Sequence, residues 1–184
     1  GGLMRTNIPS FRLPAEVLDE EVYRIIKMGA ELKTNSYIDS LEKVIDSFDA
    51  VFVGTGAPKG KDLEIPGRKE ASENIHIGID WLTSIAFEHT KSIGKKVIVI
   101  GGGNTAMDCC RTAIRLGADD VKVTVRSPKS DMKASDWELE EAIDEGIPIL
   151  DNTSPKEFLL DDEGKLKGMT VSYTHLTLPT IVDV

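Results

Sequence analysis

The sequence predicts an α/β chain built around a parallel sheet, and three observations predict it. The stretch "KKVIVIGGGNTAMDCC", residues 95–110, runs a β-branched strand into three glycines and then into a small-residue helix pattern. A second apolar strand, "DVKVTV", follows that helix, and "IPILDN" supplies a third after a further helix. Strand and helix alternating at this spacing imply parallel strands joined by crossover helices.

Taken in order, residues 1–14 hold two prolines and two glycines and read as a loop. The chain opens inside that loop with no initiator methionine, as a piece of a longer protein would. "AEVLDEEVYRIIKMG" places Val17, Leu18, Val22, Ile25, Ile26 and Met28 near helical spacing and stops at Gly29, the expected C-terminal cap. "AELKTN" alternates as a short strand, "DSLEKVIDS" is a short helix, and "FDAVFVGTGAP" is a buried strand entering a glycine turn. These elements predict the second half of an α/β unit. The Pro- and Gly-rich loop "APKGKDLEIPGRKEASENIHIG" holds the boundary, dividing the chain into residues 1–60 and 61–170. "IDWLTSIAFEHTKSIG" then predicts a helix ending at Gly94. Beyond it come strand 95–100, helix 104–116, strand 120–126 and a helix at about 135–145. Ser135 and Glu138 are spaced as a capping box for that last helix. "KEFLLDDEGKLKGMTV" reads as a hairpin about Asp-Glu-Gly.

The tail stands apart. "VSYTHLTLPT" resembles the translated read-through of a transposon-type sequencing adapter, which implies a native sequence ending near Thr170 and a non-native stretch at 171–184. His175 then carries no functional meaning.

Composition narrows the function classes. With 22 basic and 31 acidic residues the net charge is −9, which argues against nucleic acid or an anionic membrane surface as partner. No apolar run reaches the roughly 18–20 residues that span a bilayer, and no signal peptide opens the chain; the cysteine usage sets a reducing cytoplasm as the expected setting. The two cysteines are adjacent, Cys109 and Cys110, a poor geometry for a disulfide and not a redox or metal spacing, so they read as packing residues. His76 and His89 are isolated, and no metal site is expected. Trp81 and Trp137 read as core or interface aromatics.

Gly101, Gly103 and Ala106 fit G-x-G-x-x-G/A directly after a strand and at the opening of a helix. The first glycine permits the tight turn, the second lets a pyrophosphate approach the backbone, and the small third residue lets helix and strand pack closely. A purely structural strand-to-helix turn has the same glycines. The flanking strands favour a Rossmann-like dinucleotide site, with phosphates at the helix N-terminus. An NAD site would carry Asp or Glu at the end of the second strand. Here that end reads "RSPKSDMK", and Arg126, Lys129 and Lys133 suit the 2′-phosphate of NADP. A solvated basic loop is the alternative.

Three stretches together, "GGLMRTNIPSFRLP", "DAVFVGTGAP" and "VIVIGGGNTAMDCCRTAIRLGADDVKVTVRSPKSDMKAS", resemble the small (beta) subunit of NADPH-dependent glutamate synthase and its two-dinucleotide flavoprotein relatives. The resemblance runs from Gly1 to about Thr170. It implies an FAD-binding Rossmann-like domain, partial within residues 1–60, with an NAD(P)-binding domain at 61–170 inserted into it. It places the FAD glycine turn and iron–sulfur cysteines upstream of Gly1, and the segment completing the FAD domain beyond the tail. By position, Leu3 and Arg12 match FAD contacts, Ile38 lies beside the adenine end, and Gly54, Thr55 and Gly56 form the turn near the domain junction. Gly101, Gly102, Gly103, Asn104, Thr105 and Ala106 match the NADPH turn, and Arg126, Lys129 and Lys133 the cations against the 2′-phosphate. Ser127 departs from the paired arginines of many relatives.

The function implied is an electron-entry module. NADPH gives hydride to FAD, and electrons pass through iron–sulfur clusters to a large subunit that completes glutamate biosynthesis from 2-oxoglutarate and ammonia. No catalytic acid, base or nucleophile is expected. The same module could feed a pyrimidine, sulfur or ferredoxin-linked acceptor, or, as a piece alone, bind nucleotide without turnover.

Overall fold

The computed structural model describes residues 2–173 and 179–183. The chain opens with α1 (Leu3–Thr6) and α2 (Ala15–Lys27). Gly29 follows α2 with φ 104°, a conformation that residues with a Cβ rarely adopt, so the helix stops where its sequence predicts. Of α2 only Leu18 is buried.

The next stretch corrects the sequence expectation. Neither "AELKTN" nor "FDAVFVGTGAP" forms a strand, and "DSLEKVIDS" makes a single turn, α3 (Glu42–Ile45). Phe52, in the middle of the expected buried strand, is 94% exposed. A buried strand needs neighbours for its N–H and C=O groups, and both sheets among the described residues lie C-terminal to this stretch. The apolar pattern is present, but the surface it should pair with is not.

α4 (Gly78–Ala86) is shorter than the pattern predicts. It closes because the His89 and Thr90 N–H groups turn back to the Ser84 carbonyl at 2.8 and 3.2 Å, with Glu88 at φ 59°. The remaining elements then follow the prediction closely. β1 (Lys96–Ile100), α5 (Asn104–Arg115), β2 (Asp120–Thr124), α6 (Asp136–Asp144) and β3 (Ile149–Leu150) alternate along the chain. Their strands form one parallel sheet in the order β1-β2-β3, with Lys96 opposite Asp120 and Val123 opposite Ile149. β4 (Thr153–Leu160), β5 (Leu166–Tyr173) and β6 (Pro179–Asp183) form a separate antiparallel sheet. The turn between β4 and β5 is the expected Asp-Glu-Gly hairpin: the Asp161 carboxylate accepts from the Glu163 and Lys165 N–H groups, and Gly164 takes φ 80°. Of the stretch expected to be non-native, residues 174–178 and 184 lie outside the described residues, His175 among them.

The alternation of β1 explains the layering. Val97 and Val99 pack with Met107, Cys110, Ala113, Val121 and Val123 against the helices. Ile98, pointing the other way, packs against Phe158, Met169 and Val171 of the antiparallel sheet. The boundary loop covers that second cluster with Leu63, Ile65 and Ile75. No helix among the described residues is long and apolar enough to cross a membrane.

Helix α5 is buried on every side from Ala106 to Ala113. Its polar face, Asp108 and Arg111, therefore needs partners rather than solvent. Glu138 of α6, fully buried, makes ion pairs with Arg111 (3.2 Å) and Arg12. Arg12 also donates to Asp108 at 2.6 Å, and Arg111 reaches Glu141 and Glu145 at the rim. The expected capping box is thus corrected. Ser135 does precede α6, but its side chain makes no cap bond, and the Glu138 carboxylate turns to the arginines while the Ser135 N–H donates to Asn104. Glu138→Ala should lower unfolding stability by about 3–5 kcal/mol, since it strands buried guanidinium groups. Glu141→Ala, at a half-exposed carboxylate on the same arginine, should cost less than about 1 kcal/mol; urea denaturation of the two variants makes the comparison.

Candidate nucleotide site

The site begins where β1 meets its sheet neighbour. The Gly101 N–H donates to the Thr124 carbonyl at 3.0 Å, carrying the ladder into the turn, and Gly101 then adopts φ 147°. A Cβ there would lie 3.5 Å from Ala106 Cβ, so the first and third small positions of the pattern pack against each other. Gly103 precedes α5 without any side-chain cap, and a Cβ on it would meet nothing within 4 Å. Open space in front of a helix N-terminus, whose first N–H groups have no acceptor within the helix, is where an anion is held. Asn104 and Thr105 supply the first helical positions facing it.

Gly102 does something the pattern did not assign to it. A Cβ at this position would stand 2.7 Å from Val125 Cγ2 and 3.4 Å from Met132 Cγ. Its carbonyl accepts from the Lys133 and Ala134 N–H groups at 2.8 and 2.9 Å. The Asn104 side-chain oxygen accepts from the Ser135 N–H at 2.8 Å. The glycine turn and the loop after β2 are therefore one bonded unit. Three consecutive glycines where the motif needs two were the available signal.

Arg126, Lys129 and Lys133 all sit on that loop and are exposed. Among the described residues, none of their side chains has a hydrogen-bond or ion-pair partner. The far end of the loop is tied down as well: the Lys129 N–H donates to the Asp151 carboxylate at 3.0 Å, and the Asn152 N–H to the Ser127 carbonyl at 3.2 Å. The loop that carries these three exposed cations is thus fastened beside the glycine turn.

The residues expected against FAD do not come together as one group. Ile38, Gly54 and Thr55 line an open cavity of about 310 Å³ with Leu41, Val44 and Val51. Gly56, at φ 74°, is not part of the lining, and Leu3 belongs to α1. Arg12 has its terminal nitrogens engaged by Asp108 and Glu138, and its guanidinium lies 5.1 Å from the Trp137 ring centre. Sequence reasoning missed this network because Asp108 and Glu138 look like ordinary solvent-facing helix residues.

Both cysteines are free and buried. Burial pushes each thiol up to about 12, far from the thiolate that a redox or metal role requires. Among the described residues no group of His, Cys, Asp and Glu is placed to hold a metal ion.

Parallel strands joined by crossover helices and a glycine turn opening α5 define a Rossmann-like dinucleotide-binding fold. The chain belongs to the pyridine nucleotide-disulphide oxidoreductase family, whose match covers residues 11–182. It is 33% identical to the NADPH-Fe(3+) oxidoreductase subunit beta of Geobacter sulfurreducens over 92% of this chain and 26% of that one. It is also 33% identical to the glutamate synthase [NADPH] small chain of Halomonas elongata, over 97% of this chain and 40% of that one. The chain thus spans between a quarter and two fifths of these relatives. FprA from Mycobacterium tuberculosis shares the fold over the whole of this chain and 58% of its own, with a TM-score of 0.72 at 14% identity.

Two outcomes follow from the site's packing. Gly102→Ala should destabilise the chain by about 1–3 kcal/mol through overpacking against Val125 and Met132, whereas Gly103→Ala, facing open space, should leave thermal unfolding nearly unchanged. Ellman's reagent at pH 8 should label neither cysteine in the native chain and both after unfolding in urea; rapid native labelling would contradict the buried thiols.

Proposed function

We propose that this chain carries the pyridine-nucleotide end of a flavin-dependent NADPH oxidoreductase, an electron-entry module that takes hydride from NADPH to FAD. The observation that carries the proposal is the set of unpaired cations, Arg126, Lys129 and Lys133, on a loop bonded directly to the glycine turn. An NAD site would hold a carboxylate there.

The residue roles we assign are supported by the geometry. Gly103 leaves room for the pyrophosphate, and the N–H groups of Asn104 and Thr105 and the α5 dipole hold its charge. Arg126 and the two lysines pair with the 2′-phosphate, and Ser127 leaves that duty to fewer guanidiniums than a paired arginine would. When bound, the nicotinamide supplies the hydride and the flavin receives it; the chain supplies position and charge, with no acid or base of its own. Residues 61–170 make up this nucleotide domain, and residues 1–60 belong to the FAD-binding part, where Ile38 meets the adenine end and Gly54, Thr55 and Gly56 form the turn near the domain junction.

The electron acceptor we favour, on the sequence resemblance, is the large subunit of glutamate synthase, reached through iron–sulfur clusters in the cytoplasm. The similarity to an NADPH-Fe(3+) oxidoreductase subunit supports a second acceptor class for the same module. The nucleotide half of the proposal is tested on the full-length protein by calorimetry. Arg126→Ala should weaken NADPH by about tenfold or more, the worth of a charge-assisted hydrogen bond, and leave NADH almost unchanged. Equal loss for both nucleotides would refute the 2′-phosphate role.

A further inference from the structure

We propose that Asn104 is a positioning residue for nucleotide choice, acting on the 2′-phosphate cations through the loop that carries them; this rests on the NADPH reading above. Asn104 stands at the first position of α5, beside the pyrophosphate space, yet its side-chain oxygen is directed away and accepts the Ser135 N–H at 2.8 Å. Ser135 is two residues beyond Lys133, one of the three free cations. Among the described residues, the other bonds holding this end of the loop to the turn are those from the Lys133 and Ala134 N–H groups to one carbonyl, that of Gly102.

The loop is held at both ends. Its start is fixed by β2 and by Asp151 and Asn152. Past its end, Glu138 fixes α6 to Arg111 and Arg12. Between those anchors, residues 126–134 must be bent back toward the turn for their cations to converge with the pyrophosphate site. Asn104 and Gly102 supply that bend. Loss of the Asn104 oxygen removes one of three bonds across the gap, and the cations lose their register while the α5 N–H groups stay in place. Binding of the 2′-phosphate should suffer, and binding of the common pyrophosphate should not.

This differs from a direct contact. An Asn104 that touched the pyrophosphate would serve NADPH and NADH equally, and its removal would weaken both alike. The full chain serves for three measurements: calorimetry with NADPH, calorimetry with NADH, and amide hydrogen exchange without nucleotide. Asn104→Ala should weaken NADPH by about three- to tenfold, the worth of one hydrogen bond, with NADH changed less than about twofold. The Ser135 amide should exchange faster in the same variant. Asn104→Asp, which keeps the acceptor, should restore the slow exchange of Ser135 and keep the NADPH-to-NADH ratio, while its added charge weakens both nucleotides together.

An unchanged Ser135 amide in Asn104→Ala, or equal loss of the two nucleotides, overturns the proposal. Arg126→Ala separates this from failure of the underlying reading. If Arg126→Ala lowers the ratio and Asn104→Ala does not, only the positioning role falls. If neither lowers it, or if the wild-type chain shows no preference, the 2′-phosphate reading falls and the positioning role with it.

Discussion

A carboxylate with no access to water must be answered by charge, and Glu138 sets that condition for the whole nucleotide unit. Its two oxygens meet Arg111 from α5 and Arg12 from the N-terminal segment, so three stretches distant in sequence converge on one side chain. The arrangement gives register more than net stability. A buried pair recovers little beyond its desolvation cost, but losing one member is severe. Phe11 adds to the same junction, with the Arg115 and Arg111 guanidiniums 3.9 and 5.0 Å from its ring centre. The segment 7–14 is therefore part of the packing of α5 rather than a free leader. The Asn7 side chain confirms this from the other side by donating to the Ile79 carbonyl of α4 at 2.7 Å.

The carboxylates of this network do not titrate alike. Burial pushes Asp108 above the usual carboxylate range, against the opposing pull of Arg12. The Arg115 bond holds Glu145 below that range. Acidification therefore removes what Glu145 contributes, as pH falls through its lowered value, whereas protonation of Asp108 is favoured in the folded state and relieves part of its desolvation. Asp108 therefore takes up its proton before Glu145 as pH falls, and the interior pair with Arg12 loses its charge before the rim pair with Arg115 does. The cation loop, fastened at Glu138's end of α6, inherits its placement from the interior.

Most of the unit from Lys95 onward was legible because its signals are local. A β-branched run, a glycine turn, a small-residue helix and a second strand each declare themselves within a few residues. What was not legible depends on partners far along the chain. Glu138 three residues after Ser135 has capping-box spacing, and nothing local reveals that Arg12 will claim it. The "FDAVFVGTGAP" stretch has sound strand chemistry, but a strand exists only beside another, and Phe52 stays exposed. Gly102 lay between the two glycines the motif explains, so its close approach to Val125 became visible only in three dimensions.

These two kinds of constraint divide the work of the molecule. The glycine turn needs only its own strand, helix and following loop to make room for phosphate, so that part of the site is complete within consecutive elements. The cavity at Ile38 and Gly54 rests on a segment with one turn of helix and no strand, and its apolar walls at Leu41 and Phe52 lie open to solvent. On the proposed reading, a nucleotide held by the first feature needs no rearrangement of the loop that carries Arg126 and the lysines, because Gly102 and Asn104 already bind that loop to the turn. Pre-organisation of this kind reduces the ordering cost of binding. On the proposed reading, it also lets a side chain that never touches the nucleotide act on which nucleotide is held.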